Sequence, residues 1–312
     1  MRLKRGMVKR IVDSLSEPPA IAALKGDKAV GITLLSGRRC NFRCSMCETD
    51  SGPRRKEMAK PEMVEPIFRG LKPTLDSGRV KFITISGGEP TLNMDFVVKV
   101  AETLLETVSA SSASMPFFGM ITNGSARRSE VFERLAPFKD VLWILYSDDE
   151  FHRAFSKRSL SEGSGDSAIA RFRKMGFRMH QMPDAEVVSL GRGFDLSGTA
   201  MVRACDGAHI AYSEKDGVVK ASHIPSKRPH RMMVDEAGRL RICGHLGPLI
   251  GDLVSESTLD IVQRIRKSPD LLSLATLGPL ATTKPEDAEG ELRIAMEKGP
   301  CGLCHLRSAD YA

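Results

Sequence analysis

The chain has 312 residues, enough to bury a large core as one large domain or two ordinary ones. Its 41% hydrophobic and 27% charged residues are those of a soluble globular protein and not of a disordered or membrane chain. The 46 Lys and Arg against 39 Asp and Glu give a net charge of +7, while only 5% aromatic residues leave little material for a base-stacking platform.

Residues 1–27 read as a short basic helix ending at Pro18–Pro19, followed by a linker. The basic start suits a signal peptide, but Lys9, Arg10 and Asp13 interrupt its apolar stretch. No apolar run approaches the ~18 residues of a membrane span, so the expectation is a cytoplasmic protein without membrane contact. Four short apolar runs follow, at Val30–Leu35, Val80–Ile85, Phe117–Ile121 and Val141–Tyr146, as expected of strands buried on both faces of a parallel sheet. Helical segments lie between them near Pro61–Leu75, Met94–Thr107 and Ser129–Leu135, with Asn93 in a capping position before the second. This alternation points to a barrel or open sheet of βα units. A Gly/Ser loop at Ser159–Ser167, a helix at Ala168–Met175 and strands at Phe177–Met182 and Glu186–Leu190 continue it to about residue 200. Beyond that, Arg231–Val234 and Arg239–Cys243 read as a hairpin around Asp-Glu-Ala-Gly, whose Gly238 can take positive φ.

Seven cysteines in such a chain are metal ligands or redox groups before they are disulfides. Three form Cys40-Asn-Phe-Arg-Cys44-Ser-Met-Cys47, directly after the first strand. Three thiolates on one loop can hold three irons of a cubane and leave the fourth iron open to a cofactor. A structural zinc site wants four protein ligands, and no fourth Cys or His lies close by. The second strand ends in Ser86-Gly87-Gly88-Glu89-Pro90, where two glycines allow close backbone approach at the carboxyl end of a strand. Basic runs at Arg2–Arg10, Arg54–Lys56 and Lys227–Arg231 attract phosphates, nucleic acid or acidic peptides, or are simply solvated faces.

On the C-x3-C-x2-C loop and the later Gly-Gly-Glu segment, the chain resembles radical S-adenosylmethionine enzymes. The resemblance implies a partial (β/α)6 barrel over residues 28–200, a 4Fe–4S cluster on Cys40, Cys44 and Cys47, and S-adenosylmethionine chelated to the open iron. It places Gly87, Gly88 and Glu89 at the cofactor's amino group. Thr122-Asn123-Gly124 matches a frequent family segment, and Ser147-Asp148-Asp149 resembles the S-x-D pattern that reaches the ribose. The family usually has an aromatic residue before the third cysteine, packing near the adenine; here it is Met46, which can fill the same apolar role. His152 either touches substrate or cofactor or is structural. Arg192 is either a partner of the cofactor carboxylate or a surface loop arginine. Low-potential clusters imply a flavodoxin- or ferredoxin-like electron donor.

The remaining cysteines lie late. Gly238 to Cys243 is G-x4-C, and Cys301-Gly-Leu-Cys304 is C-x2-C. They resemble the twitch form of the SPASM extension, which implies an α+β segment over residues 201–312 holding a second 4Fe–4S cluster on Cys205, Cys243, Cys301 and Cys304. The stretch from Cys205 to Gly238 is longer than the family pattern. A zinc site on the same residues, with His245 or His305, is the alternative. If all seven thiols bind iron, none remains to donate a hydrogen atom, and net two-electron oxidation (dehydrogenation or cross-linking) is expected. If Cys205 is not a ligand, it becomes the hydrogen donor of an epimerase. The expected substrate is a small molecule or peptide, with phosphorylated or acidic ones favoured by the charge. A zinc-stabilised nucleic-acid-binding protein would explain the basic runs and the C-x2-C pair, but not the ordered GGEP, TNG and S-x-D segments.

Overall fold

The computed structural model of the chain describes residues 17–111, 113–156, 167–182, 204–205, 210–215, 218–223, 229–245, 247–279, 294, 301 and 304–305. Helix α1 spans Pro19–Lys25 and ends on Gly26 at φ 80°, a left-handed cap that a residue with a Cβ rarely adopts. This corrects the expected linker: the two prolines open a helix instead of closing one. Proline in a first helical turn gives up an N–H that has no intrahelical acceptor anyway. The helix buries Ala20, Ile21, Ala23 and Leu24 in the core. Residues 1–16, where the basic helix was expected, lie outside the described residues.

The βα alternation follows as expected. Strands β1 (Val30–Leu35), β2 (Val80–Ser86), β3 (Phe117–Thr122), β4 (Leu142–Tyr146) and β5 (Arg178–Gln181) pair in parallel in that order. Between them run α2 (Val64–Asp76), α3 (Met94–Ser109), α4 (Ser129–Leu135), α5 (Glu150–Ser156) and α6 (Ala168–Lys174). The expected strand at Glu186–Leu190 and nearly all of the Gly/Ser loop lie outside the described residues. Parallel strands covered by their own crossover helices bury both faces, which is why the first four read as unbroken apolar runs.

The sheet does not stop at β1. Strand β9 (His230–Val234) pairs with it in parallel, followed by antiparallel β10 (Arg239–Arg241) and β11 (Leu249–Asp252). The result is one eight-stranded, mostly parallel sheet in the order β11-β10-β9-β1-β2-β3-β4-β5, the α/β arrangement of a partial barrel. Helices α7 (Thr258–Lys267) and α8 (Pro269–Leu277) pack on α1, and residues from both halves of the chain share one core. Strands β6 (Ala204–Cys205), β7 (Ile210–Lys215) and β8 (Val218–His223) form a separate antiparallel sheet that sequence reading did not anticipate. The β9–β10 hairpin turns at Gly238 with φ 82°, and buried Asp235 accepts hydrogen bonds from the backbone of Ala237 and Arg239 and from the guanidinium groups of Arg239 and Arg241.

Register places the functional segments together. Leu35 pairs with Ser86, Ile85 with Met120, Thr122 with Tyr146, and Leu34 with Val234. The segments that follow β1, β2, β3, β4 and β9 therefore leave the sheet along one edge, the carboxyl ends of its parallel strands, where such folds hold their ligands.

Candidate functional site

The cysteine loop is built by backbone contacts before any cofactor is considered. Arg39 and Gly52 bridge, with the Cys40 N–H donating to the Gly52 carbonyl at 3.2 Å and the Gly52 N–H to the Arg38 carbonyl at 3.1 Å. Gly87, at φ 123°, and Gly88 lie against the start of this loop. The Gly88 N–H donates to the Gly37 carbonyl at 2.8 Å and the Glu89 N–H to the Arg39 carbonyl at 2.9 Å. A Cβ on Gly88 would stand 2.0 Å from the Arg39 carbonyl oxygen, so only glycine permits this approach. Asn93 takes the expected N-cap position of α3 without a side-chain cap hydrogen bond, and its amide donates to the carbonyls of Ser36 at 2.7 Å and Ala59 at 2.8 Å, tying down both ends of the loop.

On this frame Cys40 and Cys44 are buried and Cys47 is half-buried, none of them in a disulfide. The Phe42 N–H points at Cys40 Sγ and the Ser51 N–H at Cys47 Sγ, each at 3.3 Å, and Thr49 Oγ1 lies 3.3 Å from Cys47 Sγ. Amide N–H groups aimed at sulfur favour thiolates and tune an iron–sulfur cluster, so the donor set has the chemistry a 4Fe–4S group needs. Burial pushes the Cys40 thiol up to about 11, only partly countered by the Phe42 N–H. A metal ion taking the place of the proton reverses that preference. Among the described residues no three Cys, His, Asp or Glu side chains converge on a metal-sized point, so the three thiols stand as an open set on one loop.

Glu89 is 1% exposed and links the strand ends. One carboxylate oxygen accepts from the Thr91 N–H (3.2 Å), Thr91 Oγ1 (2.7 Å) and Thr122 Oγ1 (2.8 Å), and the other from the Asn123 N–H (2.8 Å). Burial raises its pKa, opposed by these bonds. Asn123 continues the chain of contacts, its amide nitrogen 3.0 Å from Asn41 Oδ1 and 3.6 Å from Cys40 Sγ. Glu89 and Asn123 thereby connect β2, β3 and the cysteine loop.

After β4, the Ser147 N–H donates to the Thr122 carbonyl at 3.1 Å. Asp148 accepts from Arg153 Nε at 3.1 Å, and Asp149 accepts from the His152 N–H at 3.0 Å. His152 Nδ1 sits 2.8 Å from both Asp149 oxygens. Burial would raise the Asp149 pKa, but the His152 contacts outweigh it and hold the carboxyl below its usual value. His152 is thus the partner of Asp149. Met46 packs against Cys40, Phe42 and Cys44, and so does Phe151, which sequence reading missed. The available signal was an aromatic residue in the first turn of the helix after the S-x-D segment. Arg192 lies outside the described residues.

Of the later cysteines, Cys243, Cys301 and Cys304 are buried and outside any disulfide. Cys243 Sγ lies 3.4 Å from the His245 carbonyl, and a Cβ on Gly247 would meet it at 2.5 Å. Cys205 is described only as part of β6, where it pairs with Ile210. His245 Nδ1 lies at hydrogen-bond distance, 2.8 Å, from Glu48, a contact between the two cysteine regions that sequence reading also missed.

Residues 34–182 match the sequence model of the Radical SAM superfamily. No curated protein sequence matches the chain. Among solved structures, BtrN in complex with AdoMet and 2-DOIA aligns at 14% identity and TM-score 0.50, covering 81% of this chain and 89% of BtrN. SuiB of Streptococcus suis bound to precursor peptide SuiA aligns at 13% identity and TM-score 0.49, covering 96% and 73%. Native anSMEcpe with bound AdoMet aligns at 18% identity and TM-score 0.38, covering 49% of this chain and 43% of that one.

Proposed function

Because residues 34–182 are a radical SAM superfamily domain, we propose that the chain holds a 4Fe–4S cluster on Cys40, Cys44 and Cys47, binds S-adenosylmethionine beside it, and abstracts hydrogen from a small-molecule or peptide substrate. The observation that carries this reading is the contact chain at the strand ends: Gly88 to Gly37, Glu89 to Asn123, and Asn123 to Cys40. When bound, the cluster supplies the electron that splits S-adenosylmethionine into methionine and a 5′-deoxyadenosyl radical. The protein's part is to place and shield these groups. Glu89 and Asn123 fix the cysteine loop against β3, while the half-exposed backbone of Gly87 and Gly88 offers polar groups to the cofactor's amino end. Met46 and Phe151 supply apolar surface beside the thiols. Ser147 is half-buried at the strand edge and is the S-x-D member suited to a ribose hydroxyl, since Asp149 already accepts from His152. The match in fold to BtrN, whose structure holds AdoMet, supports this placement.

The reaction outcome we favour is net two-electron oxidation. The substrate loses a hydrogen atom to the 5′-deoxyadenosyl carbon, then a proton to solvent and one electron to an acceptor. Cys205, Cys243, Cys301 and Cys304 would hold that acceptor as a second 4Fe–4S cluster in residues 201–312. The buried thiols of Cys243, Cys301 and Cys304, none of them in a disulfide, support it. Turnover in deuterated water tests the outcome: product without deuterium at the reacting carbon is expected, and deuterium at an inverted carbon would instead establish an epimerase with a thiol donor.

A further inference from the structure

The parallel strands give alternate residues to the core beneath the helices, and the residues between them form a second, inner face of the sheet. Leu142 and Ile144 of β4 belong to that core, and Met179 of β5 packs against it. Strand side chains alternate, so Trp143, Leu145, Arg178 and His180 point to the inner face. Register sets them in two rows, Trp143 beside Arg178 and Leu145 beside His180. The Arg178 guanidinium lies 5.6 Å from the centroid of the Trp143 ring, and that ring meets Phe117 at 5.4 Å. A guanidinium over an aromatic ring is held by its face and keeps its N–H edge for another partner. Arg178 and His180 are both exposed, and among the described residues neither side chain has a hydrogen-bond or ion-pair partner. The carboxylates that follow β4 are already engaged, Asp148 by Arg153 and Asp149 by His152.

Two donor side chains therefore stand two residues apart on one strand, about 6.6 Å along it, with no acid to neutralise them. Their β4 neighbours on this face, Trp143 and Leu145, are apolar and compete for neither. Arginine forks onto phosphate oxygens, and an imidazole N–H adds a donor from the side. We propose that Arg178 and His180 bind a phosphate group of the substrate, which makes the substrate a phosphorylated small molecule. This rests on the reading of the chain as a radical enzyme and narrows its substrate class. The His180 row lies one pair before Tyr146–Gln181, where β4 and β5 end. A phosphate held there leaves the rest of the molecule to extend toward Asn123 and Ser147 at the strand ends. The phosphate is an anchor, and none of its bonds is made or broken.

Trp143 is the single tryptophan of the chain, so its fluorescence reports on the stacked Arg178. The test titrates the metal-free full chain with inorganic phosphate and with glycerol 3-phosphate at constant ionic strength. Both should give a saturable change in fluorescence. Equilibrium dialysis of radiolabelled phosphate provides a second readout, because replacing Arg178 alters the fluorescence by itself. Arg178→Gln should raise the phosphate Kd about tenfold or more, and His180→Gln about threefold or more. Arg178→Lys, which keeps the charge and loses the fork, should fall between wild type and Arg178→Gln. Lys174→Gln, exposed in the last turn of α6, should stay within about twofold of wild type. Phosphate binding unchanged in both Arg178→Gln and His180→Gln, or matched by acetate at equal concentration, would overturn the site. Saturable, Arg178-dependent binding in a chain that forms no 5′-deoxyadenosine after reconstitution would leave the phosphate site standing and overturn the radical reading, so the two failures are distinct.

Discussion

Glu48 and His245 stand 197 residues apart in sequence and meet side chain to side chain at 2.8 Å. Glu48 follows Cys47 directly, and His245 lies two residues after Cys243, whose Sγ contacts the His245 carbonyl. The two cysteine regions are therefore joined through side chains as well as through the shared sheet. Neither partner is fully buried, with side chains 31% and 18% exposed, so the pair contributes only modestly. A double-mutant cycle of Glu48→Gln and His245→Gln, read by urea unfolding of the metal-free chain, should give a coupling of about 0.5–1 kcal/mol. Strictly additive effects would show that the contact does not hold in solution.

Glu89 carries more. Its carboxylate satisfies the Thr91 N–H and hydroxyl, the Thr122 hydroxyl and the Asn123 N–H in a fully buried position. Glu89→Ala should destabilise the fold by about 3 kcal/mol or more, because buried donors lose their acceptor. Glu89→Gln should cost about 1–3 kcal/mol, since an amide N–H₂ must then face either the Asn123 N–H or the cluster of Thr donors. Chemical denaturation of the metal-free chain measures both, and a near-neutral Glu89→Ala would contradict the linking role.

Gly88→Ala should displace the cysteine loop. The new Cβ would meet the Arg39 carbonyl at 2.0 Å, and a backbone atom cannot rotate away as a side chain can. The expected result is destabilisation of about 1–3 kcal/mol together with reduced iron retention after reconstitution. Full iron loading in this variant would show that the loop tolerates separation from the Gly87–Glu89 segment.

The Cys40 thiol, pushed up to about 11 by burial, is protonated in the metal-free chain near neutrality. The thiolate is the reactive form, so at pH 8 only about one Cys40 in a thousand is reactive. Alkylation of Cys40 by iodoacetamide, followed by peptide mass spectrometry, should therefore accelerate about tenfold per pH unit from pH 8 to 10. A rate that levels off below pH 9 would contradict the burial argument.

Much of this was legible in the sequence, for identifiable reasons. Strands buried on both faces leave unbroken apolar runs, so β1 to β4 and the cysteine loop after β1 were readable directly. The hairpin at Gly238 was readable from its turn chemistry, but its place beside β1 was not, because parallel pairing across two hundred residues leaves no local pattern. Pro18 and Pro19 misled because proline ends helices as readily as it begins them, and only the burial of Ile21 and Leu24 decides between the two. The partners of Glu89, the reach of Phe151 to the thiols and the Glu48–His245 pair depend on tertiary packing.

We propose that Cys40, Cys44 and Cys47 hold a cluster that cleaves S-adenosylmethionine. Iron and acid-labile sulfide per chain after anaerobic reconstitution, with 5′-deoxyadenosine assayed in parallel under dithionite, test it most directly. About eight irons with formation of 5′-deoxyadenosine is the predicted result, matching one cluster on each cysteine set, and Cys40→Ala should abolish the cleavage. Stoichiometric zinc with no 5′-deoxyadenosine would contradict the account.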